Sequence, residues 1–296
     1  MTAVISVPSL LILGDNPMNR QKEWAKFLDQ IESNRKALSF GPGEETFFRG
    51  QGDASWSLAP SLFRGPVVRS RYEYQKLEYD LFFEFEARAH EIHDRSFTQW
   101  DILFNMRHHG VPTRLLDWTE SLGVAVFFAI QNFKPGRKPC VWMLNPYSLN
   151  EHEDSYDNRD LISPDYLGND YGQFLIEDEG FGFKLPVAIY PKQRNPRMGA
   201  QKGWFTCHGD LYKPLEKIIG SSVLRKVELD VAAIPAAQAF LDSVCLDDYQ
   251  VFPDLDGLAR ALSKKYGFIS PMDVLGASAL ASTKGGRTKR KLDRRK

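Results

Sequence analysis

The sequence predicts an α+β fold, with a helical N-terminal half packed on a mostly antiparallel sheet. Three observations predict it. Segments with apolar residues at three- and four-residue steps crowd the first half of the 296-residue chain. Short β-rich runs crowd the second half. Strands and helices do not alternate regularly, which argues against a doubly wound parallel sheet.

Residues 20–36 read as a helix, with Trp24, Phe27, Leu28 and Ile31 at helical spacing. Phe40-Gly41-Pro42-Gly43 interrupts the chain. Thr46–Gly50 reads as a short buried strand with a polar exit. Residues 70–94 form a long helix striped by Leu77, Leu81, Phe82, Phe85, Ala89 and Ile92. Residues 98–108 form another, with Gly110 placed to cap its C-terminus and Pro112 preventing continuation. Glu120–Phe133 reads as a helix with a loose middle at Gly123 and Thr119 as its N-cap. Strands are expected at Cys140–Leu144, Val187–Tyr190, Trp204–Cys207 and Val223–Leu229, and helices at 235–245 and 254–266. Between the first two strands, His152–Gly182 holds nine Asp or Glu against a single Arg and reads as an acidic insertion or lid.

Domain organisation follows as one domain over 1–281 and a disordered basic tail over 282–296. Residues 284–296 carry eight Lys or Arg and one acid. Taking these from 38 basic and 38 acidic residues leaves 30 against 37, so the neutral total hides a body of about −7. Such a tail is suited to weak, nonspecific nucleic-acid contact. No apolar run reaches membrane-spanning length. The apolar start, Ala3–Leu13, lacks a basic flank and a cleavage site, and reads as a strand or arm and not a signal peptide. Three widely spaced cysteines, with no CxxC, fit a reducing cytoplasm and indicate neither a zinc ribbon nor a disulfide framework. Cys140 and Cys245 adjoin apolar runs and read as buried thiols.

The densest polar segment is His108-His109-Gly110-Val111-Pro112-Thr113-Arg114-Leu115-Leu116-Asp117-Trp118-Thr119. Buried polar groups need partners, so such a cluster forms either an internal network or a binding site. Arg49, ending an apolar strand, offers a planar fork for phosphate or carboxylate; an internal ion pair with Asp117 is the plain alternative. Gly50 would let a phosphate approach the backbone, and Gln51 supplies donor and acceptor. Trp118 offers a stacking face or core area. Asp117 is placed to fix Arg114 or Arg49. Arg197, Gln201 and Gly203 precede a strand and bound a cleft or a turn. No metal is expected: adjacent His108 and His109 point about 100° apart on a helix, and no HExxH is present. Phosphate-loop and nucleophile-elbow motifs are likewise missing.

With Phe47-Phe48-Arg49-Gly50-Gln51, Trp56–Arg64, Arg197–Thr206 and Phe252–Leu258, this segment resembles the FRG domain family, named for a Phe-Arg-Gly signature, here Phe48-Arg49-Gly50. The resemblance spans roughly residues 20–266. The order of the clusters is more distantly similar to ADP-ribosyltransferases, which implies an ADP-ribosyltransferase-like sheet and NAD as substrate. On that likeness Arg49 holds NAD, Thr113–Thr119 lines the nicotinamide pocket, and Gln201-Lys202-Gly203 stands where a Glu-bearing turn belongs. The resemblance thereby assigns catalysis to Arg49, Asp117 and Gln201. It assigns NAD contact to Arg49, Gly50, Gln51, His109, Thr113, Arg114, Trp118, Thr119 and Arg197. It departs at Gly203, where the carboxylate is missing, leaving Asp117 or Glu120 to replace it. The functions so implied are an NAD-dependent transferase or glycohydrolase acting as a toxin or in phage defence, with an unidentified macromolecular acceptor. The alternatives are a nucleotide- or nucleic-acid-binding module without catalysis, and a nuclease.

Overall fold

A computed structural model describes residues 17–268, except 66–69, 93–96, 132, 154–158, 165–170, 177–182 and 192–195. The apolar start, the basic tail and parts of the acidic segment therefore lie outside the described residues. Helices and one antiparallel sheet make up an α+β fold.

Helix α1 (Pro17–Ala37) buries Trp24, Phe27 and Ile31, the three- and four-residue steps that predict it. Strand β1 (Phe47–Gln51) follows, then helices α2 (Arg71–Ile92) and α3 (Gln99–His108). A capping box starts α3: Thr98 accepts from the Asp101 amide, and Asp101 accepts from the Thr98 amide at 3.0 Å. At its other end Gly110 lies at φ +83°. Its amide donates to the Arg107 carbonyl and that of Val111 to the Met106 carbonyl, a Schellman closure that glycine permits at no steric cost.

The sequence reading missed the next element. Leu115–Thr119 is a strand, β2, in the middle of the sheet. Its flanking Leu115 and Leu116 face opposite cores, so no clean apolar alternation marks it. The following helix, α4 (Leu122–Gln131), starts two residues later than expected. Thr119 does not cap it: its hydroxyl accepts from the Ser121 amide, and Ser121 Oγ accepts from the Val124 amide in its place. Strand β3 (Cys140–Leu144), short helix α5 (Pro146–Asn150), helix α6 (Tyr171–Ile176), strand β4 (Val187–Ile189), helix α7 (Pro196–Ala200) and strand β5 (Gly203–Cys207) come next. Strand β6 (Leu224–Glu228) and helices α8 (Ile234–Ser243), α9 (Asp248–Val251) and α10 (Leu255–Lys265) complete the order. Three of the six strands thus come from the first half of the chain, which was expected to be chiefly helical.

The sheet runs β4-β5-β2-β1-β3-β6, each pair antiparallel. Most neighbours share three to five register pairs, but β1 meets β2 at the single pair Phe48↔Thr119. One sheet face carries two separate cores. Phe48, Val141, Met143 and Val227 pack beneath α1, α4 and α8. Leu115, Phe205, Cys207 and Val187 pack with residues of α2, α3 and α6. The opposite face holds a third core around Phe47, Trp118, Trp142 and Trp204. The weakly joined seam between β1 and β2 lies between the two cores of the first face.

The described part of the acidic segment is not spread over a cleft. Tyr171 is wholly buried against Phe82 and Trp100, and Ile162 forms a bridge to Ile189 at the sheet edge. Cys140 and Cys207 are buried, whereas Cys245 is exposed, at positive φ beyond α8. Among the described residues no helix is long and apolar enough to cross a membrane.

Candidate functional site

A cleft of about 520 Å³ opens at the seam. Its walls come from β1, β2 and β5, from the C-terminal end of α3, from α4 through Val124 and Phe128, and from α7 through Arg197 and Met198. Asp117, projecting from β2, lies in it with its side chain 41% exposed.

Arg107, in the last turn of α3, grips that carboxylate with both edges of its fork. Nε donates to Oδ1 at 2.8 Å, and Nη2 donates to Oδ2. Its Nη1 donates to Ser61 Oγ at 3.3 Å. Arg49 reaches across the open seam from β1, donating through Nη1 to the Asp117 carbonyl at 2.7 Å and to Oδ2 at 3.4 Å. Its Nε is buried without a hydrogen-bond partner. Burial favours the neutral acid at Asp117, but Arg107 and then Arg49 outweigh it and hold the carboxyl at about 2.

The cations outnumber the acid. Burial pulls the Arg49 guanidinium down to about 10, and Arg107 and Arg64 add to the fall while Asp117 opposes it. Arg64 and Arg197 are also lowered, first by burial and then by neighbouring charge, Arg107 among them. Arg197 stacks over the Phe252 ring at 4.8 Å and donates to the His108 carbonyl at 3.4 Å. His108 is lowered by burial, Arg197 and His109, which favours its neutral form. Three guanidiniums, those of Arg49, Arg107 and Arg197, line the cleft with the Asp117 carboxylate and make a partly dehydrated positive site. An arriving anion would relieve their mutual repulsion.

Arg49, Gly50, His109, Asp117, Trp118, Thr119, Arg197 and Gln201 all border this cleft, though they come from distant parts of the chain. Their expected roles need correction at several points. Gly50 is small for packing: a Cβ there would lie 1.8 Å from the Ala125 carbonyl oxygen of α4, so the close approach is by a helix. Trp118 offers no stacking face. It is 3% exposed, packs in the opposite core, and donates its indole N–H to Thr206 at 3.0 Å. Gln201 is held by its side-chain donor to the Val251 carbonyl at 3.2 Å, while its own carbonyl accepts from Thr119 at 2.6 Å.

Three expected site residues lie outside the cleft lining. Gln51 accepts from the Trp142 indole at 2.8 Å beneath the opposite face. Thr113 is buried, its amide donating to Ser61 and its hydroxyl accepting from the Leu115 amide. Arg114 is wholly buried and ion-paired to Glu78, with a further bond to the His208 carbonyl at 2.8 Å. Conversely, Arg107, which grips Asp117 in the cleft, was not picked out as a site residue. Its signal was its place before the His pair at a helix end, where a side chain escapes the core stripe. Among the described residues no group of His, Cys, Asp and Glu is arranged to hold a metal ion.

Fold and cleft together define an α+β protein with an arginine-rich pocket at a seam in its sheet. Residues 44–138 match the family model of the FRG domain. That span includes Phe48-Arg49-Gly50, Trp56–Arg64 and His108–Thr119, and excludes the pieces around Arg197 and Phe252. No curated protein and no solved structure matches the chain.

Proposed function

We propose that the cleft binds a nucleotide by its phosphates, that NAD is the ligand, and that the protein is an NAD-using transferase or hydrolase. The convergence of Arg49, Arg107 and Arg197 with Asp117 in one cleft carries the proposal. Arg107 spends its fork on Asp117 and Ser61. Arg49 makes a single long contact with the carboxylate and lines the cleft with its side chain 19% exposed, so it is the guanidinium best placed to take a phosphate. Asp117, ionised across the physiological range, would stabilise positive charge on the ribose as the bond to nicotinamide breaks. The bonding pair leaves on the nicotinamide nitrogen. Water or an acceptor hydroxyl then adds to the ribosyl carbon and gives its proton to solvent.

Calorimetry with NAD, ADP-ribose and inorganic pyrophosphate tests binding; chromatographic detection of nicotinamide tests turnover. Arg49→Ala should weaken NAD binding about 10- to 100-fold, the value of a charged hydrogen-bonded contact. Asp117→Asn should leave binding intact and abolish nicotinamide release. Absence of saturable binding by all three ligands would overturn the proposal. An effector that depletes NAD or modifies an acceptor, as a toxin or in phage defence, should also arrest growth when expressed, and Arg49→Ala should relieve the arrest.

One observation favours a second reading, a nucleotide-binding module without catalysis. The cleft's carboxylate is already neutralised by two arginines, and Gly203 brings none of its own. NAD binding with no nicotinamide released would select it.

A further inference from the structure

Helix α10 buries only Gly257 within its span of eleven residues. Its inner side is fixed against Phe252 and Asp248, the latter also 3.4 Å from Arg260 Nε. A Cβ on Gly257 would lie 1.9 Å from the Phe252 carbonyl oxygen, Arg260 stacks over the Phe252 ring at 4.9 Å, and Lys264 donates to the buried Asp248 at 2.6 Å. Leu255, Ala259, Leu262 and Tyr266 are exposed at steps of four, three and four, which is the spacing of a single helical stripe. Leu255 is 83%, Leu262 45% and Tyr266 65% exposed. An apolar stripe of this kind on a charged helix has the pattern of a docking surface.

We infer that its occupant is the α10 of a second copy of this chain, packed antiparallel about a two-fold axis. The stripe is self-complementary about a point between Arg260 and Ala261. Antiparallel pairing about that point sets Leu255 opposite the second Tyr266, and small Ala259 opposite the second Leu262. It also sets Asp256 opposite the second Lys265, twice over, with opposite charge at both ends. The helix dipoles run antiparallel as well. An isologous contact of this kind closes after two copies and builds no filament. Eleven residues of helix bury well under the roughly 1,600 Å² of a standard interface, so the dimer is weak, on the scale of transient contacts. The contact lies behind the cleft: Phe252, beneath Arg260, also carries Arg197, and the Val251 carbonyl holds Gln201.

Sedimentation velocity of the full chain over a range of protein concentrations tests the inference. The expected result is a monomer–dimer equilibrium, abolished by Leu262→Glu. Asp256→Lys alone should weaken the dimer at least 10-fold, because it sets Lys against Lys. Adding Lys265→Asp should restore it, and circular dichroism should show all variants folded. The inference is overturned by monomer at every concentration, by a dimer that Leu262→Glu leaves intact, or by a charge swap that fails to rescue. Binding of α10 to lipid vesicles in place of self-association would also overturn it, since a lipid surface shows no such rescue.

Discussion

The chain contains two arginine–carboxylate arrangements of nearly the same chemistry, and they do different things. Arg114 and Glu78 sit at 1% and 3% exposure, bidentate, with Tyr171 donating to the same carboxylate and the His208 carbonyl accepting from Arg114. Asp117 is held by Arg107 and Arg49 at 41% exposure, at the edge of a cleft. In the first, every strong donor is matched and water is excluded, so the pair can do no more than tie α2 and α6 to the entry of β2. In the second, guanidiniums are in excess and one Arg49 N–H is unbonded. Satisfaction of the donors, and not residue type, separates a brace from a site.

The sharpest way to break this contrast is to remove one partner of each arrangement. Arg114→Met should cost about 3–5 kcal/mol in urea unfolding, since it strands Glu78 in the interior. A joint Arg114→Met, Glu78→Leu variant should regain most of that loss, as apolar replacements of buried pairs commonly do. A loss under about 1 kcal/mol for Arg114→Met would make the buried pair equivalent to a surface one.

The interior also predicts a pH dependence. His208 is pulled down to about 3, by burial first and then by Arg114. The folded state therefore holds it neutral where the unfolded chain, near 6.5, takes up a proton. Its contribution is whole above pH 6.5 and is lost progressively as pH falls toward 3. His208→Leu should flatten the stability profile between those values. An unchanged slope would show that His208 is protonated when folded.

Asp117 should act lower and more weakly. Its folded value of about 2 lies below the ordinary 3.8, so its contribution is whole above about pH 4 and disappears as pH falls through 2. With 41% of the side chain open to solvent, screening leaves about 1 kcal/mol or less. Asp117→Asn should therefore cost little at pH 7 and nothing near pH 2. A cost comparable to that of Arg114→Met would mean that Asp117 is as much a brace as Glu78.

The smallest expected effect is at Gly203. The nearest atom to a Cβ there is the Met198 carbonyl oxygen at 3.5 Å, an ordinary contact. Gly203→Ala should shift stability by no more than about 0.5 kcal/mol. Gly50→Ala, also at the cleft, should be far more costly, because its Cβ would meet helix backbone.

Local pattern revealed much of this fold and less of the site. Helices α1 to α3 were legible because a one-sided apolar stripe is written within a few turns of sequence, and strands β3 to β6 because each is a short β-rich run. Strand β2 was hidden, since both its faces are buried and polar residues surround it. Arg49 and Asp117 were legible as cleft residues because each is a charged residue within a short apolar run, and Arg197 and Gln201 because they lead into one. Arg114 was not legible as a brace, for its partner Glu78 lies 36 residues away, a single acid set among the apolar stripe of α2. Tertiary pairing of that kind leaves no local mark.

The single register pair between β1 and β2 makes the sheet two three-stranded ribbons joined by one rung. Beyond it, the Arg49 side chain spans the gap to the Asp117 carbonyl, standing in for a missing backbone rung. A ligand that draws Arg49 away would remove that bridge and leave Phe48 and Thr119 as the single backbone register pair across the seam, with the third core still spanning it from the opposite face. The cleft therefore opens where the two halves of the sheet share least backbone pairing, and Arg49 is the side chain that bridges them there.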